Sequence, residues 1–82
     1  MQVYLVITSD TRNTVKDSYG VIESYLFTDI DSAKIKLFEL FKYANNQENV
    51  DEEETSYFDG VDFDVFYKSG GVYYGKIEKH YI

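Results

Sequence analysis

Val61–Tyr81 reads VDFDVFYKSGGVYYGKIEKHY, and this stretch decides the fold. Two runs rich in Val, Phe, Tyr and Ile flank Ser69-Gly70-Gly71, which predicts a β-hairpin of Val61–Lys68 and Val72–Tyr81. Its register follows from the side chains. A two-residue Gly70-Gly71 turn sets Phe63, Val65 and Tyr67 beside Glu78, Lys76 and Tyr74, mixing core with charge. A three-residue loop with one glycine in the left-handed region sets them beside Ile77, Gly75 and Tyr73. The second register makes one coherent apolar face and is the one expected. It places Asp64 across from Lys76 and Phe66 across from Tyr74 on the other face. Gly75, opposite Val65, then marks a bulge or the close approach of an aromatic ring.

Immediately upstream lies Glu48–Asp64, ENVDEEETSYFDGVDFD, with eight carboxylates and no Lys or Arg. The chain carries −7, so the residues outside this segment sum to about +1 (−7 minus −8). Nearly all the net charge is therefore held in one place. Asn45–Gly60 reads as a long polar connection, and connections beyond ~12–15 residues in a compact domain are usually functional or disordered. Tyr57 and Phe58 are candidates to pin its far end to the core.

Further out, Thr28-Asp29 offers N-cap oxygens to a helix, and Asp31 adds negative charge near its positive end. Ile30, Ala33, Leu37, Leu40, Phe41 and Ala44 fall on one stripe at helical spacing, and Asn45-Asn46 ends the run. Ile35 and Phe38 lie off the stripe, as a widened core face, as ordinary exposed surface or as a contact patch. Gln2–Ser9 predicts a first strand, apolar on both faces and so internal to its sheet. A second strand is expected at about Tyr19–Phe27, with Glu23 showing that its inner face partly reaches water. The polar run Asp10–Asp17 connects them. The expected fold is α+β: a single domain over residues 1–82, in the order ββαββ, an antiparallel four-stranded sheet with one helix on one face.

Composition sets the function classes. With 82 residues there is room for one core, and nine Tyr and six Phe help fill it. The absence of Cys removes disulfides, thiolate metal sites and cysteine nucleophiles. The N-terminus lacks a signal-peptide pattern and no window reaches the ~20 apolar residues of a membrane span, so a cytoplasmic protein without membrane contact is expected. Strong acidity argues against direct nucleic-acid binding, which needs Lys and Arg at the phosphates. Enzyme signatures are missing: the single His80 is a strand-end surface residue, and no phosphate loop, nucleophile elbow or HExxH is present. No catalytic residue and no cofactor are assigned. Asp59, Asp62 and Asp64 in DGVDFD lack the order of a calcium loop, so no metal ligand is assigned either, and divalent-cation binding stands third among the readings.

The leading reading is electrostatic. Alternate residues on a strand are ~6.6–6.8 Å apart, roughly the spacing of phosphates on an extended nucleic-acid backbone. Asp62 and Asp64 can thus present charge as a nucleic-acid strand does. The run Asp51, Glu52, Glu53 and Glu54, with Asp59, extends the track, while Tyr57, Phe58 and Phe66 add aromatic contacts. These ten residues are the candidate surface for a basic, nucleic-acid-handling protein. The second reading is a structural protein that forms a homodimer through an edge strand or the Ile35/Phe38 patch.

Val3-Tyr4-Leu5-Val6, Thr8-Ser9, Phe27-Thr28 and the early helical Ala33 are similar to the pattern of a group of small ββα-type proteins common in phages and Gram-positive bacteria. The resemblance covers the N-terminal half; the acidic segment and the Gly-Gly hairpin depart from it. It implies a fold but brings no activity or site residues. In size and charge alone the chain also resembles acidic phage inhibitors of host defence, anti-CRISPR proteins among them, some of which mimic nucleic acid.

Overall fold

The computed structural model describes residues 1–11, 21–52, 56–68 and 70–82. Strand β1 (Gln2–Asp10) is followed by β2 (Val21–Phe27), helix α1 (Ile30–Asn45), β3 (Tyr57–Phe58), β4 (Asp62–Phe66) and β5 (Val72–Tyr81). All neighbours pair antiparallel in one sheet of order β2-β1-β5-β4-β3. The expected α+β domain with one helix on one face is present. The sheet has five strands instead of four, and the order is ββαβββ.

The added strand comes from the acidic connection. Asn49–Asp51 lies along the end of β4: Val50 bridges Tyr67, the Asp51 N–H donates to the Phe66 carbonyl at 2.9 Å, and the Lys68 N–H donates to the Asn49 carbonyl at 2.8 Å. Tyr57 and Phe58 then pair with Asp64 and Phe63. From Val50 to Tyr57 there are seven steps of chain against three from Tyr67 to Asp64, so the segment between them is extra length. Among its described residues, the expected polar connection Asn45–Gly60 thus holds an isolated bridge at Val50 and the short edge strand β3. Backbone pairing overrode side-chain polarity here.

The hairpin keeps its faces but not its register. Phe63 stands opposite Gly75, Val65 opposite Tyr73, Asp62 opposite Lys76, Asp64 opposite Tyr74 and Phe66 opposite Val72. Each pairing is two residues from the expected one. The cause is the turn: the Gly70 N–H donates to the Tyr67 carbonyl at 2.9 Å, the Tyr67 N–H to the Gly71 carbonyl at 3.0 Å, and Gly70 takes φ +92°. The turn closes between Tyr67 and Gly71, one residue earlier than expected on each strand, which moves the pairing by two and leaves side-chain parity intact. Gly75 lies under the Phe63 ring, not opposite Val65. A β-carbon at Gly75 would sit 2.3 Å from Phe63 Cε2.

Direct cross-strand partners share a face. Tyr25, Phe27, Tyr4, Val6, Thr8, Tyr73, Ile77, Phe63, Val65, Tyr67 and Phe58 therefore form the inner face, against which α1 packs Ala33, Leu37 and Ala44. Phe63 stacks on Tyr73 (centroids 5.7 Å) and Phe58 stacks on Phe41 (4.8 Å). The helix begins as its sequence predicts, with Asp29 as N-cap accepting from the Ser32 N–H (2.8 Å) and hydroxyl (2.9 Å). Its last turn is pinned by the buried Tyr67, whose hydroxyl donates to the Ala44 carbonyl at 2.6 Å. Strand β1 is internal, as expected. Strand β2 is described from Val21, and the part of the expected strand around Tyr19 lies outside the described residues.

Candidate partner-binding surface

The sheet has one helix, so its other face is covered by no described element. Across this open face the side chains fall into two halves. On β2 and β1 they are Ile22, Ser24, Leu26, Leu5, Ile7, Ser9 and the buried Val3; on β4 and β3 they are Asp62, Asp64, Phe66 and Tyr57. Between them β5 contributes Val72, Tyr74, Lys76, Glu78 and His80. One half is apolar and the other acidic.

The acidic half is built by alternation. Asp62 and Asp64 are separated by the inward Phe63, whose burial fixes both carboxylates on the open side. Asp59 closes the turn before β4: its carboxylate accepts from the Val61 and Asp62 N–H groups, both at 2.9 Å, and from the Tyr57 hydroxyl at 2.6 Å. That Tyr57 hydrogen bond, together with the two N–H donors, holds the Asp59 carboxyl below the usual carboxylate range. Reciprocally, Asp59 as acceptor pushes the Tyr57 phenol up to about 12. Asp64 moves the other way, raised first by burial between its neighbours and then by the charge of Asp62. Tyr57 and Tyr74 flank it on either side.

The register puts Lys76 across from Asp62, but its ammonium pairs along its own strand with Glu78 at 3.0 Å. Glu78 also faces His80 at 3.4 Å. Among the described residues no ion pair engages Asp62 or Asp64. Two like charges thus share one half-buried strand next to the sheet edge, with no ion pair to the strand β5 beside them.

The other candidates disperse. Asp51 sits at the Phe66 end of β4, continuing the line of carboxylates along this edge, and Glu52 lines an open concavity of about 570 Å³ with Asn45, Gln47, Ser56 and Lys68. Glu53 and Glu54 lie outside the described residues. Phe66 is on the open face. Phe58 is on the inner face, stacked on Phe41 and 5.5 Å from Phe38, so it supports the edge from behind. Phe38 touches Phe58 but stays 46% exposed, and Ile35 is exposed at 62%. The sequence reading missed Tyr74 beside Asp64; its alternation with Tyr73 was the available signal, but only the correct register places it.

Among the described residues no three His, Asp or Glu side chains converge to hold a metal ion. None of the helices described is long and apolar enough to cross a membrane. No protein-family model, curated protein or solved structure matches the chain.

Proposed function

We propose that this chain is a non-enzymatic binding module that engages a basic, nucleic-acid-handling protein through the acidic edge of its sheet. The observation that carries this reading is the placement of Asp62 and Asp64 on the open face, beside Asp59 and without a cationic partner among the described residues. Their Cβ atoms repeat at ~6.8 Å along the strand, and Asp51 at the Phe66 position prolongs the row. Such a row attracts a groove shaped for phosphates and raises the rate of encounter with it. Tyr57, Tyr74 and Phe66 lie among the carboxylates and supply apolar area that a nucleic-acid strand would supply through its bases. Inhibition of a defence nuclease by mimicry is the specific form of this reading that the size and charge of the chain support.

The test is parallel affinity capture with the native chain and the Asp62→Asn/Asp64→Asn variant, at low and raised salt and with competing nucleic acid. The reading expects a basic partner that the native chain retains, that nucleic acid displaces and that the double variant loses. Equal retention by the double variant sinks it.

A further inference from the structure

The opposite edge of the sheet has no assigned role. Among the described residues, strand β2 pairs with β1 on one side only and is terminal in the strand order. Edges of this kind are normally guarded by lysine, proline, bulges or brevity. Its seven residues, VIESYLF, include no Lys and no Pro, and the ladder with β1 runs without a bulge from Val21 to Phe27. Glu23 is its one charge.

The order of side chains is close to palindromic about Ser24. In an antiparallel pair of two copies centred there, Ile22 of each copy meets Leu26 of the other on the open face. Both are well exposed in the single chain, at 69% and 61%. On the inner face Glu23 meets Tyr25. That donor–acceptor pair already exists within one copy, where the Tyr25 hydroxyl donates to Glu23 at 2.7 Å. Across the two-fold axis it is available twice. Centring the pair on Glu23 instead sets two carboxylates face to face, and centring it on Tyr25 sets Glu23 against Phe27. Only the Ser24 register matches apolar to apolar and donor to acceptor while pairing the whole strand.

The helix leaves room, since α1 packs chiefly over β5, β1 and β4. Net charge does not oppose the contact either. Asp62 and Asp64 on β4 are three strand spacings from β2, ~14 Å, and the two acidic rows would lie roughly 34 Å apart, beyond the ~8 Å screening length at physiological salt. We propose that β2 is a self-pairing edge, through which two copies join antiparallel about Ser24 into one continuous sheet.

The chain has no cysteine, so single thiols report the register directly. At the two-fold, Ser24 Cα atoms would be ~4.5–5.5 Å apart, within disulfide reach. Ile22 of one copy would be roughly 13 Å from Ile22 of the other. Under mild oxidation Ser24→Cys is expected to cross-link at least about tenfold faster than Ile22→Cys or Leu26→Cys alone. Ile22→Cys mixed with Leu26→Cys is expected to cross-link as a heterodimer. By sedimentation, native protein should gain mass reversibly with concentration, and Leu26→Lys, at an exposed site that leaves folding intact, should weaken association at least about tenfold. A native chain that stays monomeric to ~1 mM, or cross-linking that favours Glu23→Cys or Tyr25→Cys, overturns the proposal. Neither result bears on Asp62 and Asp64, so the two readings fail separately.

Discussion

At the residue scale, Asp64 and Gly75 each trade one term against another. The Asp64 carboxyl is raised by burial and by Asp62, so its folded-state pKa stands above the unfolded value of about 3.9. Between those values the folded chain holds more protons than the unfolded one, and stability falls as pH rises through that window. Asp64→Asn should therefore raise the melting temperature at pH 7, with the advantage shrinking as pH approaches 4. A thermal melt series across that range checks it, and a variant less stable than the native chain at neutral pH would contradict it. Asp59 has the opposite sign: its stabilisation is present above about pH 4 and lost as pH falls through its depressed folded value. A residue kept ionised at a cost to folding fits a role in binding, because a basic partner lowers its pKa again. At Gly75, alanine would gain roughly 0.5–1 kcal/mol from reduced unfolded-state entropy. The new methyl would, however, meet the fully buried Phe63 ring at 2.3 Å. Overpacking costs about 1–3 kcal/mol, so the clash wins and Gly75→Ala should lower the urea midpoint.

Among the elements, the C-terminal end of α1 is held by a side chain that the hairpin supplies. Tyr67 is buried and gives its hydroxyl to the Ala44 carbonyl in the last turn of the helix, where no intrahelical partner is available. Tyr67→Phe keeps the ring and strands that carbonyl, at a cost of about 1–2 kcal/mol. Chemical denaturation reads the loss, and hydrogen exchange should show it concentrated in the last turn of α1. The edge beside β4 follows similar logic. Val50 and Phe58 pack against the core at its two ends, and their burial holds Asp51, Tyr57 and Asp59 along β4. The acidic row depends on apolar anchors that carry no charge.

At the scale of the whole molecule, the five-stranded sheet separates two edges of opposite chemistry. Binding at the acidic edge should weaken steeply as salt rises, and Asp62→Asn/Asp64→Asn should flatten that dependence. Leu26→Lys, three strands away from Asp62 and Asp64, should leave the salt slope of partner binding unchanged while altering self-association. A titration of partner affinity against salt for both variants separates the two surfaces. A dimer would present two acidic edges facing outward, and a bivalent partner would then bind with avidity set by their separation.

Local information was sufficient wherever the chain's own periodicity decides. The α1 stripe and its Asp29 cap, the internal position of β1 and the parity of the hairpin all follow from neighbouring residues, because burial selects one face and parity survives a two-residue slip. The same holds for Asp62 and Asp64, whose direction is set by Phe63 and Val65 between and beside them. Tertiary structure decided the rest. Whether the hairpin closes at Tyr67 or at Lys68 depends on which alignment buries Phe63 over Gly75, a contact across strands. Whether Tyr57-Phe58 is loop or strand depends on the unpaired backbone of β4 and on the Phe41 ring. That Phe58 turns inward and Tyr74 flanks Asp64 follows from those pairings alone. Composition and period belong to the sequence; partners across space belong to the packed sheet.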